Sequence, residues 1–138
     1  MTSVQPEVAP SPRPRLLCVD DDPRVLRVLQ RMLRVEYEMV VSTSGDEAVR
    51  LLREDNFDLL LTDMRMPGMS GAELCIAAKE IAPEIPRVVL TGYADPESMA
   101  LAHSRGGLFR VLEKPCPREL LRTVLAEAAA HGQRPVTQ

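Results

Sequence analysis

Four short apolar runs in this sequence end in residues able to do chemistry. Leu16-Leu17-Cys18-Val19 runs into Asp20-Asp21-Asp22, Leu59-Leu60-Leu61 into Thr62-Asp63, Arg87 to Leu90 into Thr91, and Phe109 to Leu112 into Glu113-Lys114-Pro115. Each has an ordinary explanation taken alone. Asp22 before Pro23 suits a helix cap, Thr91 a strand-end hydroxyl bonded to backbone, Asp63 a turn residue ahead of Met66-Pro67-Gly68, and Lys114 a solvated amine. Together they are harder to dismiss, because carboxylates gathered at one place repel one another and shift toward protonation unless a cation holds them. Oxygen-only ligands select a hard cation, and one or two carboxylates with waters and a phosphate oxygen describe Mg2+ better than a closed calcium cage. A carboxylate can itself accept a phosphoryl group as an aspartyl phosphate. The Lys114 ammonium and the Thr91 hydroxyl then supply the charge and the hydrogen bond that the transferred oxygens need.

For these residues to meet, the runs must be neighbouring strands. From Arg15 onward apolar runs alternate with segments of helical period. Asp22-Pro23 opens a helix with Val25, Val28, Leu29, Met32 and Leu33 at the spacing of one buried face. Met39-Val40-Val41 reads as a second strand, and Ser44 with Glu47 makes a capping box ahead of Ala48, Leu51 and Leu52. Ser70 with Glu73 repeats that box before Leu74, Ala77, Ala78 and Ile81, and Asp95-Pro96 opens another helix. A last helix from near Pro117 carries Leu120, Leu121, Val124, Leu125 and Ala128 on one side. Five strands and five helices in strict alternation, the strands continuously apolar, predict an α/β fold with a doubly wound, open parallel sheet. In such a sheet ligands bind outside the carboxyl ends of the strands, where all four motifs fall.

Composition narrows the function further. The chain has 138 residues, 45% hydrophobic, enough for one sizeable core. A net charge of -3 with Lys and Arg scattered among acids argues against direct nucleic-acid binding. Cys18, Cys75 and Cys116 are far apart and suit a reducing compartment, and His103 and His131 lack the neighbours of a zinc site. Residues 1–14 hold four prolines and no hydrophobic run, so they read as a disordered lead-in, neither a signal peptide nor a membrane span.

The four motifs, Val19-Asp20-Asp21-Asp22-Pro23, Leu61-Thr62-Asp63-Met64-Arg65-Met66-Pro67-Gly68-Met69-Ser70-Gly71, Val89-Leu90-Thr91-Gly92 and Glu113-Lys114-Pro115, in this order resemble the receiver domains of two-component response regulators. The likeness runs from about Arg15 to Ala130. It implies a flavodoxin-like sheet of strand order 2-1-3-4-5, a receiver domain over 15–131, and a tail or the start of a linker over 132–138. It further implies that Asp63 is the phosphoacceptor and that Asp21, Asp63 and the backbone carbonyl of Arg65 ligate Mg2+, Asp20 acting mainly through a coordinated water. Thr91 and Lys114 would bind the phosphoryl oxygens, and the Lys114-Pro115 bond would be cis.

The family often places Tyr or Phe three residues before the lysine, and here that position is Val111. A signal would then travel through Gly92 to Asp95 and the helix after it. Arg65 and Tyr93 occupy positions that in this family flank the path of hydrolytic water, which makes them modulators of phosphoryl loss. The implied partners are a sensor histidine kinase or histidine phosphotransfer protein, docking beside the first helix near Arg24, Val25 and Val28, and a downstream protein target or output domain. A homodimer through the last two helices and fifth strand, a cytoplasmic location, and no catalysis beyond self-phosphorylation and self-dephosphorylation complete the expectation, with no membrane partner. Either the domain works alone or it is the receiver piece of a longer regulator. Three rivals remain beside this reading. An aspartyl-phosphate hydrolase of the haloacid dehalogenase type needs a second Asp where Arg65 stands, and a dinucleotide module needs a Gly-rich turn where the acidic loop stands. A phosphorylation-independent scaffold of the same fold is the third.

Overall fold

The structure, a computed structural model, describes residues 13–93 and 95–132. Its elements run β1 (Arg15–Val19), α1 (Pro23–Leu33), β2 (Glu38–Ser42), α2 (Gly45–Glu54), β3 (Leu59–Thr62), α3 (Gly71–Ile81), β4 (Arg87–Thr91), α4 (Pro96–Ser104), β5 (Arg110–Glu113) and α5 (Arg118–Gly132). The five strands are all parallel, in the order β2-β1-β3-β4-β5, so the doubly wound α/β expectation holds and the winding reverses between β1 and β3. Most of the expected N-terminal tail lies outside the described residues, as do 133–138. Just before β1 the Pro14 carbonyl accepts from Glu38 N at 2.9 Å.

Strand alternation sorts the core into two sides. Leu16 and Cys18 of β1 join Leu59, Leu61, Val88 and Leu90 under α1 and α5, whereas Leu17, Val19 and Leu60 face Ala48, Leu52, Leu74 and Ala78 of α2 and α3. A smaller cluster of Met64, Ala72, Cys75, Val89 and Ala102 fills the space toward α4. Burial pushes the Cys18 and Cys75 thiols up to about 12.

Three local readings are corrected. The buried face of α1 is Leu26, Leu29 and Leu33, with Val25 and Met32 at its margin and Val28 half-exposed. Leu120 likewise points outward, and Ala129 completes the inner face of α5. At α2 only half of the capping box forms: the Ser44 hydroxyl accepts from Glu47 N at 3.0 Å, but the Glu47 carboxylate accepts from the Ser42 hydroxyl at 2.6 Å instead of returning to the cap. Ser70 and Glu73 form the full box. Asp22 and Asp95 cap α1 and α4 ahead of Pro23 and Pro96.

Two residues lock the frame. Gly71 sits where the loop after β3 turns into α3, its N–H bonded to Met64 O at 2.8 Å; a Cβ there would strike the Asp63 carbonyl oxygen and come within 2.8 Å of Met64 Cα. Arg87 is a buried cation answered by carbonyls: Nε donates to Gly106 O at 2.7 Å, Nη1 to Ile85 O at 2.7 Å and Nη2 to Gly107 O at 3.1 Å. Burial lowers its pKa from the ordinary arginine value.

Arg87→Met should destabilise the domain by about 3 kcal/mol, because it leaves several buried carbonyls without donors, and Arg87→Lys should recover little of it, a lysine lacking the fork. Urea unfolding followed by circular dichroism measures both. Gly71→Ala should cost about 1–3 kcal/mol through overpacking against backbone that cannot yield, read in the same way.

Candidate functional site

Parallel pairing brings the acids together. Val19 is in register with Thr62, and the Asp63 N–H donates to Val19 O at 2.9 Å, so Asp20 and Asp63 emerge side by side where β1 and β3 end. Carboxylate oxygens of Asp20, Asp21 and Asp63 lie within 4.8 Å of one another. Asp20 is only 3% exposed. Asp22, the third acid of the run, turns away: its carboxylate accepts from Arg24 N at 2.9 Å and pairs with the Arg24 guanidinium at 3.1 Å. That contact holds the Asp22 carboxyl below the usual carboxylate range.

Lys114 reaches the cluster from the end of β5. Its N–H bonds Thr91 O at 2.9 Å, and the bond to Pro115 is cis. The Nζ donates to Asp20 Oδ2 at 2.8 Å and lies 3.6 Å from Asp63 Oδ2. Burial opposes its charge, yet the hydrogen bonds and charges of Asp20 and Asp63 outweigh that and raise its pKa above the ordinary lysine value. Backbone amides share the load: Asp22 N donates to Asp20 Oδ1 at 2.9 Å, and Met64 N to Asp63 Oδ1 at 2.8 Å.

Thr91 ends β4 on the same rim, buried. Its hydroxyl is engaged with Tyr93, donating to the carbonyl at 3.0 Å and accepting from the amide at 3.1 Å. Two residues on from Asp63 and from Thr91, Arg65 and Tyr93 meet, the Arg65 guanidinium carbon lying 4.5 Å from the Tyr93 ring centroid. This stack bridges the loops after β3 and β4. The sequence singled out each residue but not the contact, for which only their equal offsets from Asp63 and Thr91 were a signal. Val111 does not reach the rim; it is half-buried against the Met64, Cys75 and Val89 cluster.

The arrangement suits a hard cation. Three carboxylates present oxygen donors on one side, while Lys114 neutralises one charge and leaves the cluster anionic. A carboxylate such as that of Asp63 is chemically able to accept a phosphoryl group.

The response regulator receiver domain family matches residues 16–126. Among curated proteins, the hydrogenase transcriptional regulatory protein HoxA of Cupriavidus necator is 36% identical over 118 residues, 85% of this chain and 24% of that protein. The transcriptional regulatory protein ZraR of Klebsiella oxytoca is 35% identical over 127 residues, 89% of this chain and 28% of its own. The chain thus spans about a quarter of the length of these relatives. Among solved structures, the signal receiver domain of an HD domain-containing protein from Pseudomonas fluorescens superposes with a TM-score of 0.84 at 30% identity, covering 87% of this chain and 97% of that one. The receiver domain of a sensor histidine kinase from Pseudomonas aeruginosa, with a magnesium ion coordinated in its active site cleft, gives a TM-score of 0.77 at 26% identity, covering 86% and 98%. With the 2-1-3-4-5 sheet in agreement with these likenesses, the chain belongs to the response regulator receiver domain family.

Proposed function

We propose that this receiver domain takes a phosphoryl group from a phosphohistidine onto Asp63, and that the modified rim alters a protein-binding surface. The observation that carries this reading is the Asp20, Asp21 and Asp63 cluster with Lys114 2.8 Å from Asp20 and 3.6 Å from Asp63. An Asp63 carboxylate oxygen attacks phosphorus, a P–O bond forms as the P–N bond to the imidazole breaks, and the leaving imidazole takes up a proton. Lys114 and the Thr91 hydroxyl bind the transferred oxygens. Mg2+ would be held by Asp21, Asp63 and the Arg65 carbonyl, with Asp20 through water, and would neutralise charge on the phosphoryl group.

The partners in this reading are a sensor histidine kinase or histidine phosphotransfer protein on the input side and a downstream target or output domain on the other. The face of α4, β5 and α5 is the surface for that target or for a second copy. Catalysis is confined to the domain's own phosphorylation and dephosphorylation, in the cytoplasm. Among the described residues no helix is long and apolar enough to cross a membrane. The phosphorylation-independent scaffold stays the second reading because Val111 stands at the usual aromatic position and the Thr91 hydroxyl is committed to the Tyr93 main chain.

Intact mass after incubation with Mg2+ and acetyl phosphate tests the choice. The wild type should gain about 80 Da, one phosphoryl group on a carboxylate, while Asp63→Asn or omission of Mg2+ abolishes the gain. No gain where a control receiver is labelled would favour the scaffold. The Arg65 and Tyr93 stack should also lengthen the phosphoryl lifetime by obstructing water. Arg65→Ala and Tyr93→Ala should each speed loss of the phosphoryl group by about tenfold, a barrier change of about 1.4 kcal/mol, followed as decay of the phosphorylated mass.

A further inference from the structure

One hollow on the molecule is walled by guanidinium groups. Arg27, Gln30, Arg31 and Arg34 stand three and four residues apart, so they share one side of α1 and of the residue that caps it. Arg13, just before β1, reaches the same place: its Nη1 donates to the Arg34 carbonyl, which brings another guanidinium to the end of the helix. With Tyr37 and Met39 these residues line an open hollow of about 530 Å³, within the roughly 300–1,000 Å³ range of small-molecule sites. β1 and β2 begin on this side of the sheet and α1 ends here. The hollow therefore lies toward the rim opposite Asp63, and the length of α1, about 16 Å, separates the two ends.

Ordinary roles account for part of this charge. Arg31 lies in the last turn of α1 and Arg34 at its C-cap, where a cation complements the helix dipole. The dipole does not call for Arg27, which stands well before that turn, or for Arg13, which comes from another segment. Cations three and four residues apart on one helix repel each other, and no acid lies within α1. The carboxylate at the hollow, Glu38, is 3.4 Å from Arg15 Nε, and the nearby Glu36 is taken by Arg122. Among the described residues Arg13, Arg27, Arg31 and Arg34 have no ion-pair partner. In a chain of net charge -3, like charges held around one space are a local reversal of sign that attracts a compact, multiply charged anion.

We propose that this hollow binds a small oligophosphate, either an inorganic chain of phosphates or the phosphate tail of a nucleotide. Guanidinium forks engage phosphate oxygens two at a time, and linked phosphates spread their charge over a span that several arginines can share. A lone carboxylate or a monophosphate leaves most of these arginines unanswered. A nucleic acid duplex fits less well, because its charges follow a track along the helix axis, whereas these guanidiniums gather around one hollow. Tyr37 and Met39 supply the apolar part of the lining, which a nucleotide base covers and an inorganic chain leaves bare. The site is independent of phosphoryl transfer to Asp63. Its ligand would join the segment before β1 to the end of α1, and so would stabilise the folded domain by mass action.

Calorimetric titration and NMR of the isotopically labelled chain, both without divalent metal, test this with tripolyphosphate, ATP and inorganic phosphate. Tripolyphosphate should bind about tenfold or more tighter than inorganic phosphate, with shifts centred on the end of α1 and the starts of β1 and β2. Affinity for ATP several-fold above that for tripolyphosphate would identify a nucleotide as the source, and equal affinity the phosphate chain alone. Arg31→Gln/Arg34→Gln should weaken tripolyphosphate binding about tenfold, and Arg13→Gln, outside the helix, several-fold, with circular dichroism unchanged. Raising salt from about 50 to about 300 mM should weaken it several-fold. Asp63→Asn should bind as the wild type does, so acetyl phosphate labelling and oligophosphate binding stand or fall separately. Affinity unchanged in the arginine variants, shifts centred on Asp20, Asp63 and Lys114, or no binding of either oligophosphate at about 5 mM, where a millimolar site would be more than half filled, would overturn the proposal. Tighter binding of a polyglutamate peptide or a duplex oligonucleotide to the same arginines would overturn it too, making the hollow part of a macromolecular surface.

Discussion

Three carboxylates within 4.8 Å of one another at the end of a buried sheet are a standing electrostatic cost. Two unit charges at that distance repel by roughly 3 kcal/mol at an effective dielectric near 20. The chain cannot relieve this by letting the acids drift apart, because β1 and β3 are locked in register below them and the Asp63 amide is bonded to Val19 O. Much of the surrounding structure answers that constraint. Lys114 is carried to the cluster by β5 and fixed through its amide to Thr91 O, and the amides of Asp22 and Met64 point at the inner oxygens. These donors offset part of the repulsion and leave a net negative concavity, which is what a divalent cation with incomplete protein ligation requires.

The features legible in the sequence were those written as strand ends and helix starts. An acid, a threonine or a lysine following a continuous apolar run lies at one rim of a parallel sheet whatever the packing details, so Asp20, Asp21, Asp63, Thr91 and Lys114 could be grouped before any contact was known. The proline-marked starts of α1 and α4 were legible for the same local reason. What could not be read depends on which side of a helix meets the sheet. In α1 both the Val25, Val28 and Met32 set and the Leu26, Leu29 and Leu33 set satisfy helical spacing, and only docking against β1 and the last helix chooses the second. Arg87 stood at the head of an apolar run with no sign of its role, yet it is buried between the Ile85 carbonyl two residues before it and the Gly106 and Gly107 carbonyls of a loop distant in sequence. Glu47 found the Ser42 hydroxyl because β2 ends five residues before it, beside the start of its helix, a turn geometry that no capping pattern contains.

Charge is sorted over the molecule as well as within the site. The rim at the strand ends is acidic, whereas the outward side of α1, which starts at that rim, is arginine-rich and free of acids.

The link from the site to the rest of the domain turns on one proton. The Thr91 hydroxyl has a single hydrogen, and in this structure it is given to the Tyr93 carbonyl. A phosphoryl oxygen on Asp63 that took this hydrogen would free the Tyr93 carbonyl while the Tyr93 amide could still donate to the Thr91 oxygen, an exchange of one hydrogen bond for another that costs little in itself, on the order of 1 kcal/mol. The Tyr93 ring is stacked on Arg65, two residues beyond Asp63. The Ser98 contacts, and more weakly the Arg65 charge, keep the Asp95 carboxylate below the usual range as the cap of α4. Thr91, Tyr93 and Arg65 thus join the ends of β3 and β4 through one hydroxyl and one stacked pair, and Val111, packed in the Met64, Cys75 and Val89 cluster, is not part of that contact.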